Sequence, residues 1–298
     1  MQELMFRQFL QLAVSRMSDF RETLSPPHPS RMPHPNSFEI VALIDVLGAR
    51  VSTLPEAESL LTHLRAVTAK AQELLALEQL HPSFAKPDIT VLGDTIVCLW
   101  RGVNYNSIIS VPMFCQYLFI ESLMTGKFTV RGAVALGDFI RDEHVALGPG
   151  IADAASWYAE CDMMGIVATP QFGLLLDEIA EIRGGEHTMS HTFVRYPVPL
   201  KNGSTLSMWT VAWPWSFITM AQESGRPARQ ALLQNLRKLP IPKGTETKYE
   251  HAKTYFDWYL TERYGAAKHW LGKVHEALAR DRGSAPSIPP AQTQETDA

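Results

Sequence analysis

Asp45 and Asp94 are the two residues whose settings ask for chemistry. Asp45 interrupts the apolar run Phe38-Glu39-Ile40-Val41-Ala42-Leu43-Ile44-Asp45-Val46-Leu47-Gly48, which reads as a central strand buried on both faces. Asp94 follows Gly93 between two further strand-like segments, Asp88–Leu92 and Thr95–Trp100, where Gly-Asp is a tight hairpin signal. An isolated ionised carboxylate in an apolar run is costly. A divalent cation compensates it, and oxygen ligands suit Mg²⁺ or Mn²⁺. Read without a metal, Asp94 is a turn residue and Asp45 caps the segment after it. The residue types alone leave both readings open.

The elements that must position these carboxylates follow from spacing. Thr53-Leu54-Pro55-Glu56 is a capping box, and Leu60, Leu61, Leu64, Val67, Ala71, Leu74 and Leu75 trace one helix face. A helix is expected over Val111–Met124 with Gly126 as its C-cap, then a long strand over Phe128–Phe139. A helix over Gly150–Glu160, a strand over Gly165–Thr169 and a helix from Pro170 complete the order β-α-β-β-α-β-α-β. That order predicts an α+β, ferredoxin-like sandwich, in which neighbouring strands bring Asp45 and Asp94 together. Thr192–Leu200 and Leu206–Trp213 form an added β-hairpin around Lys201-Asn202-Gly203-Ser204. Residues 216–281 read as C-terminal helices, in which Tyr255, Trp258 and Tyr259 make an aromatic stripe expected in the core or at a dimer contact.

The division expected along the chain is an N-terminal helix at 1–24, a Pro-rich linker at 25–37, a core at 38–182, a hairpin and helical extension at 183–282 and a disordered tail at 283–298. Met5, Phe6, Phe9, Leu10 and Val14 recur at helical spacing; that helix docks on the domain or a second subunit, or lies on a membrane surface. With 46% hydrophobic and 19% charged residues, the 298-residue chain has enough apolar mass for a substantial core. A net charge of −4 argues against a bulk nucleic-acid surface. Cys98, Cys115 and Cys161 are far apart, lie in apolar runs and form no CxxC, so they read as reduced core thiols in a cytoplasmic protein. Charges at Glu3, Arg7, Arg16 and Asp19 argue against a signal peptide, and no membrane span is expected.

Ile44-Asp45-Val46-Leu47-Gly48, Leu92-Gly93-Asp94-Thr95-Ile96, Val130-Arg131-Gly132-Ala133-Val134-Ala135-Leu136-Gly137 and Gly148-Pro149-Gly150-Ile151 stand in that order. Together they resemble the successive motifs of class III nucleotidyl cyclases over roughly residues 38–170. The chain is more particularly similar to the bacterial pyrimidine (uridylate/cytidylate) cyclases of the Pycsar anti-phage system, which share a hairpin of the Val198-Pro199-Leu200-Lys201 kind.

The resemblance implies a two-metal cyclase acting on a nucleoside triphosphate, UTP above all. Asp45, Asp94 and the Val46 carbonyl would hold two Mn²⁺ or Mg²⁺ ions, and the amides of Leu47, Gly48 and Ala49 would cradle phosphate oxygens. It further implies a head-to-tail homodimer with composite sites and a functional link to a separate cyclic-nucleotide effector.

The departures from the family pattern bear on substrate. The helix positions that carry Asn and Arg in purine cyclases are Ala152 and Ser156, the purine-reading Lys is Thr90, and no carboxylate stands at Val145. A pyrimidine substrate and a catalytically inactive nucleotide-binding module both accommodate these losses; CTP or a purine triphosphate is the further alternative. A nucleotidyl polymerase or diguanylate cyclase would need a Gly-Gly-Asp-Glu-Phe type turn, and this turn is Leu92-Gly93-Asp94-Thr95. Arg131, Arg50 and Arg101 are candidates to contact phosphate, each with an alternative reading as a solvated surface arginine. Thr90 and His144 are candidate base contacts, and His144 reads equally as an exposed loop histidine.

Overall fold

The computed structural model describes residues 39–47, 53–75, 85–141, 146–269 and 272. The expected N-terminal helix, Pro-rich linker and C-terminal tail lie outside these residues, as do Gly48, Ala49, Arg50, His144 and Val145.

The chain runs β1 (Ile40–Leu47), α1 (Leu54–Leu75), β2 (Asp88–Leu92), β3 (Thr95–Trp100), α2 (Tyr105–Thr125), β4 (Thr129–Leu136), β5 (Ile140–Arg141), β6 (Ala146–Leu147), α3 (Pro149–Glu160), β7 (Gly165–Ala168) and α4 (Pro170–Ile182). A 3₁₀ turn (Glu186–Met189), β8 (Phe193–Pro199), β9 (Thr205–Val211), α5 (Trp213–Glu223), α6 (Ala228–Leu236), α7 (Glu246–Trp258) and a π-helical turn (Tyr259–Arg263) follow. Among the described residues this is a mixed α/β architecture around a seven-stranded sheet of order β2-β3-β1-β4-β7-β9-β8. Every neighbouring pair is antiparallel except β4 with β7.

β1 is the central strand its composition calls for, and Ile40 through Ile44 are all buried. β2 and β3 match their expected limits, joined by the two-residue turn at Gly93, whose φ of 62° suits a residue without a Cβ. The Thr53–Glu56 capping box forms: the Glu56 amide donates to Thr53 Oγ1 and the Thr53 amide to Glu56 Oε2. The added hairpin extends the same sheet, with β9 pairing to β7 at Val167 and Thr210.

Three features depart from expectation. α2 starts at Tyr105, six residues ahead of Val111, because Asn104 and Ser107 cap each other's amides and Pro112 is accommodated inside the helix. β4 stops at Leu136 instead of running to Phe139. A Cβ on Gly137 would lie 2.6 Å from the Gly150 amide nitrogen, so the chain turns there against the first turn of α3. Residues 137–139 are in no strand, and the small β5–β6 hairpin begins just past the expected end, at Ile140. Finally, Asn106–Thr125 is one helical segment long and apolar enough to cross a membrane by length and composition; here most of it is buried within the fold.

The aromatic stripe goes into the core. Tyr255 and Tyr259 are fully buried and donate their hydroxyls to the carbonyls of Val211 and Ser190. Trp213 stacks on Phe119 at 4.3 Å between ring centroids, with Phe256 also parallel to it. The three cysteines are buried and free.

His191, just ahead of β8, gives this core an acid sensitivity. Burial, with the charge of Arg183 adding to it, holds the ring's pKa down to about 3 from an ordinary 6.5. The native state therefore binds fewer protons than the unfolded chain between those values. Its stability is lost as pH falls below 6.5, at about 1.4 kcal/mol per pH unit. Urea midpoints for wild type and His191→Gln at pH 7, 6 and 5 check this: the wild-type curve falls more steeply, and parallel curves would contradict it.

Candidate functional site

The sheet register assembles the site. Asp45 on β1 is paired with Thr95 of β3 on one side and Arg131 of β4 on the other. Thr95 in turn pairs with Leu92 of β2, and Arg131 with Gly165 of β7. Paired residues point to the same side of a sheet, so Leu92, Thr95, Asp45 and Arg131 form one row on one face. The turn carrying Asp94 sits at the end of this row. Its backbone is tied to β1, because the Val46 amide donates to the Asp94 carbonyl at 3.0 Å.

Arg131 makes the site's central contact. Its Nε donates to Asp45 Oδ2 at 2.8 Å, with both side chains largely buried. Its guanidinium lies 5.3 Å from the centre of the Tyr158 ring, on the last turn of α3. The Asp45 carboxyl is raised above the ordinary carboxylate value. Burial is the largest cause and the charge of Asp94 adds to it, while Arg131 and Lys201 pull the other way. The Tyr158 hydroxyl is raised first by burial, then by the charges of Asp45 and Asp94, with Arg131 opposing.

Two site residues were invisible in the sequence. Tyr158 enters because α3 packs over β1 and β4. Lys201 enters from the β8–β9 turn and lies close enough for its charge to act on Asp45 and Cys161. Burial pushes the Cys161 thiol up to about 12, so it stays protonated. The sequence signals for Lys201 were its place on a strong turn and in the Val198-Pro199-Leu200-Lys201 hairpin, neither of which gave it a part in the site.

The other expected residues divide. Leu47 ends β1 and is buried, whereas the rest of the expected phosphate cradle (Gly48, Ala49 and Arg50) lies outside the described residues, as does His144. Thr90 lies on the same face as Asp45 but two strands away, about 10 Å across the sheet. Arg101 is not brought to the site. It follows the far end of β3, six residues or about 20 Å along the strand direction from Thr95, and pairs with Asp88 at 3.5 Å. Ala152 and Ser156 are exposed on α3, where the Ser156 hydroxyl donates to the Asp153 carbonyl in its own helix.

The donor set at Asp45 and Asp94 is all oxygen, with one carboxylate desolvated and the other exposed at the tip of a turn. Such a set fits a hard divalent cation better than a soft one. Among the described residues no group of three or more His, Cys, Asp or Glu side chains gathers as a closed metal cage. Any ion here would therefore draw further ligands from backbone, water or a bound phosphate. No protein-family model matches the chain, and no curated protein matches it by sequence.

Proposed function

We propose that the protein is a nucleotide cyclase of the class III type that converts UTP to 3′,5′-cyclic UMP and pyrophosphate. The observation that carries this reading is the meeting of Asp45 with the Asp94 turn, in a sheet whose β4-β1-β3-β2 order is bridged by α1 and α2. Four strands and two crossover helices connected in that way support a ferredoxin-like arrangement of the kind on which such cyclases are built.

In the reaction the ribose 3′-hydroxyl gives its proton to water, its oxygen bonds to the α-phosphorus, the bond from that phosphorus to the bridging oxygen breaks, and pyrophosphate leaves with the electron pair. Two Mn²⁺ or Mg²⁺ ions, held by Asp45, Asp94 and the Val46 carbonyl, would supply Lewis acidity at the 3′-hydroxyl and at the leaving group. Arg131 and Lys201 supply the fixed positive charge that a triphosphate needs, Arg131 held in place by Asp45 and by the Tyr158 ring. Lys201 thus offers a cation where Ala152 and Ser156 provide none. This reading gives the phosphate-binding part to Leu47, Gly48, Ala49 and Arg50, and the base contacts to Thr90 and His144.

The same reading makes the protein a cytoplasmic head-to-tail homodimer with composite sites, producing a messenger for a separate effector in anti-phage defence. The exposed Ile140–Leu147 pair on the β5–β6 hairpin provides apolar surface for such an assembly. A second reading, a non-catalytic nucleotide-binding module, is favoured by the neutral, exposed Ala152 and Ser156.

One assay decides between them. Purified protein is incubated with each of the four NTPs and Mn²⁺, and the products are resolved by chromatography. Cyclic UMP from UTP is the expected result. Product from ATP alone removes the pyrimidine assignment, and no product from any triphosphate removes the cyclase.

A further inference from the structure

Lys248 is a lysine with almost no contact with water, on a helix outside the strands that carry the aspartates. Its side chain is 8% exposed, and its ammonium lies 2.8 Å from Asp162 Oδ1, on a carboxylate that is itself 15% exposed. Lone buried charges are unfavourable, and a pair of them requires close geometry to persist. Here the geometry is further reinforced. The Met164 amide donates to the Lys248 carbonyl, and the His251 ring contacts the Asp162 carbonyl. Burial works to raise the Asp162 carboxyl, but hydrogen bonds from Lys248 and Thr247 and the charges of Lys248 and His251 outweigh it and hold the group below its ordinary value.

What Asp162 is attached to gives the pair its meaning. It lies two residues past the end of α3, whose last turn carries Tyr158. From there the chain is zippered to the base of the β8–β9 turn. The Lys201 amide donates to the Glu160 carbonyl at 2.9 Å, Cys161 bridges to Leu200, and the Asp162 amide donates to the Pro199 carbonyl at 2.8 Å. The ion pair therefore fixes a short block of backbone that carries Tyr158, whose ring lies against the Arg131 guanidinium, and Lys201, whose charge acts on Asp45.

We infer that Asp162 and Lys248 are positioning residues for the nucleotide site: their buried ion pair, supplied by α7, sets Lys201 and Tyr158 around Asp45. This rests on the reading of Asp45, Asp94, Arg131 and Lys201 as a triphosphate site. It assigns the C-terminal helices a part in that site beyond packing.

Two measurements test it, using inorganic tripolyphosphate with Mn²⁺ as the probe. Lys201→Ala weakens tripolyphosphate binding by about tenfold, the worth of one charge-assisted contact. Lys248→Met weakens it by a similar factor, and Lys248→Arg restores most of the loss. The double variant Lys201→Ala/Lys248→Met loses less than the sum of the two single losses, because the clamp acts in part through Lys201. Additive losses, or unchanged affinity in a folded Lys248→Met protein, overturn the inference. Where Lys248→Met leaves Asp162 uncompensated and unfolds the chain, Asp162→Asn/Lys248→Met removes both charges and takes its place.

The second measurement is amide hydrogen exchange, which needs no ligand. In the Lys248 variants the Lys201 and Asp162 amides exchange faster while those of β1 and β4 do not. Unchanged exchange at Lys201 and Asp162 sinks the clamp whatever the nucleotide result. Wild-type protein that ignores tripolyphosphate and all four NTPs sinks the triphosphate reading, and with it the role in positioning.

Discussion

Replacing Asp94 with alanine is expected to reduce UTP turnover by about a thousandfold or more, which corresponds to about 4 kcal/mol of lost transition-state stabilisation. The fold should hardly notice. Asp94 is exposed, and the structural contact it provides, the carbonyl accepting from the Val46 amide, belongs to the backbone and survives in alanine. Exposed substitutions of this kind fall within about 0.5 kcal/mol. Asp45 is a less clean target, because its removal leaves the mostly buried Arg131 without its counter-charge. The check pairs turnover with Mn²⁺ binding followed by electron paramagnetic resonance. Both should fall together in Asp94→Ala while the thermal midpoint holds. Retained turnover would remove Asp94 from the metal role.

The largest expected loss of stability comes from a residue far from the site. Gln116 on α2 is buried and uses its amide fully: Nε2 donates to the carbonyls of His191 and Ala212, and Oε1 accepts from the Ser216 hydroxyl. It ties the central helix to the segment before β8 and to the start of α5. Leucine in its place fills similar volume but strands the His191 carbonyl and the Ser216 hydroxyl, while the Ala212 carbonyl keeps the Trp215 amide. Each buried unsatisfied group costs about 1–3 kcal/mol, so Gln116→Leu should lose about 2–5 kcal/mol. That is a large part of a typical domain's stability. Ser216→Ala removes one of the three bonds and should cost about 1 kcal/mol. Urea unfolding measures both, and a Gln116→Leu loss under about 1 kcal/mol would refute the accounting.

How much could be read from residues alone depended on how local each signal was. β1, β2 and β3 were legible because β-branched runs bounded by glycine and aspartate leave few alternatives. The Thr53 and Gly126 caps were legible for the same reason. α2 was expected too late because Val111 opens the obvious apolar stretch, while the Asn104–Ser107 capping box ahead of it is polar. β5 and β6 are two residues each and carry no periodicity. At the site, Asp45 and Asp94 were legible because their own neighbours make them anomalous. Tyr158 and Lys201 were not, since nothing beside Tyr158 is unusual and the turn signal beside Lys201 does not say what the turn packs against. They matter only once α3 lies over β4 and the β8–β9 turn is pinned to the end of α3. Arg101 failed for the converse reason: it is close to Asp94 in sequence, yet a strand carries it to the opposite end of the sheet.

The long separations in the site also impose an order in time. Arg131 pairs with Asp45 across 86 residues, and Lys248 pairs with Asp162 across another 86. At synthesis rates of about 5–20 residues per second, each gap takes about 4–17 s to cross. A growing chain therefore has its aspartates first, gains Arg131 as β4 arrives, and waits as long again between Asp162 and the lysine that clamps it. During the second wait Arg131 and Lys201 have been made but the lysine that clamps Asp162 has not, so on this reading the nascent protein stays silent until its C-terminal helices have emerged and docked.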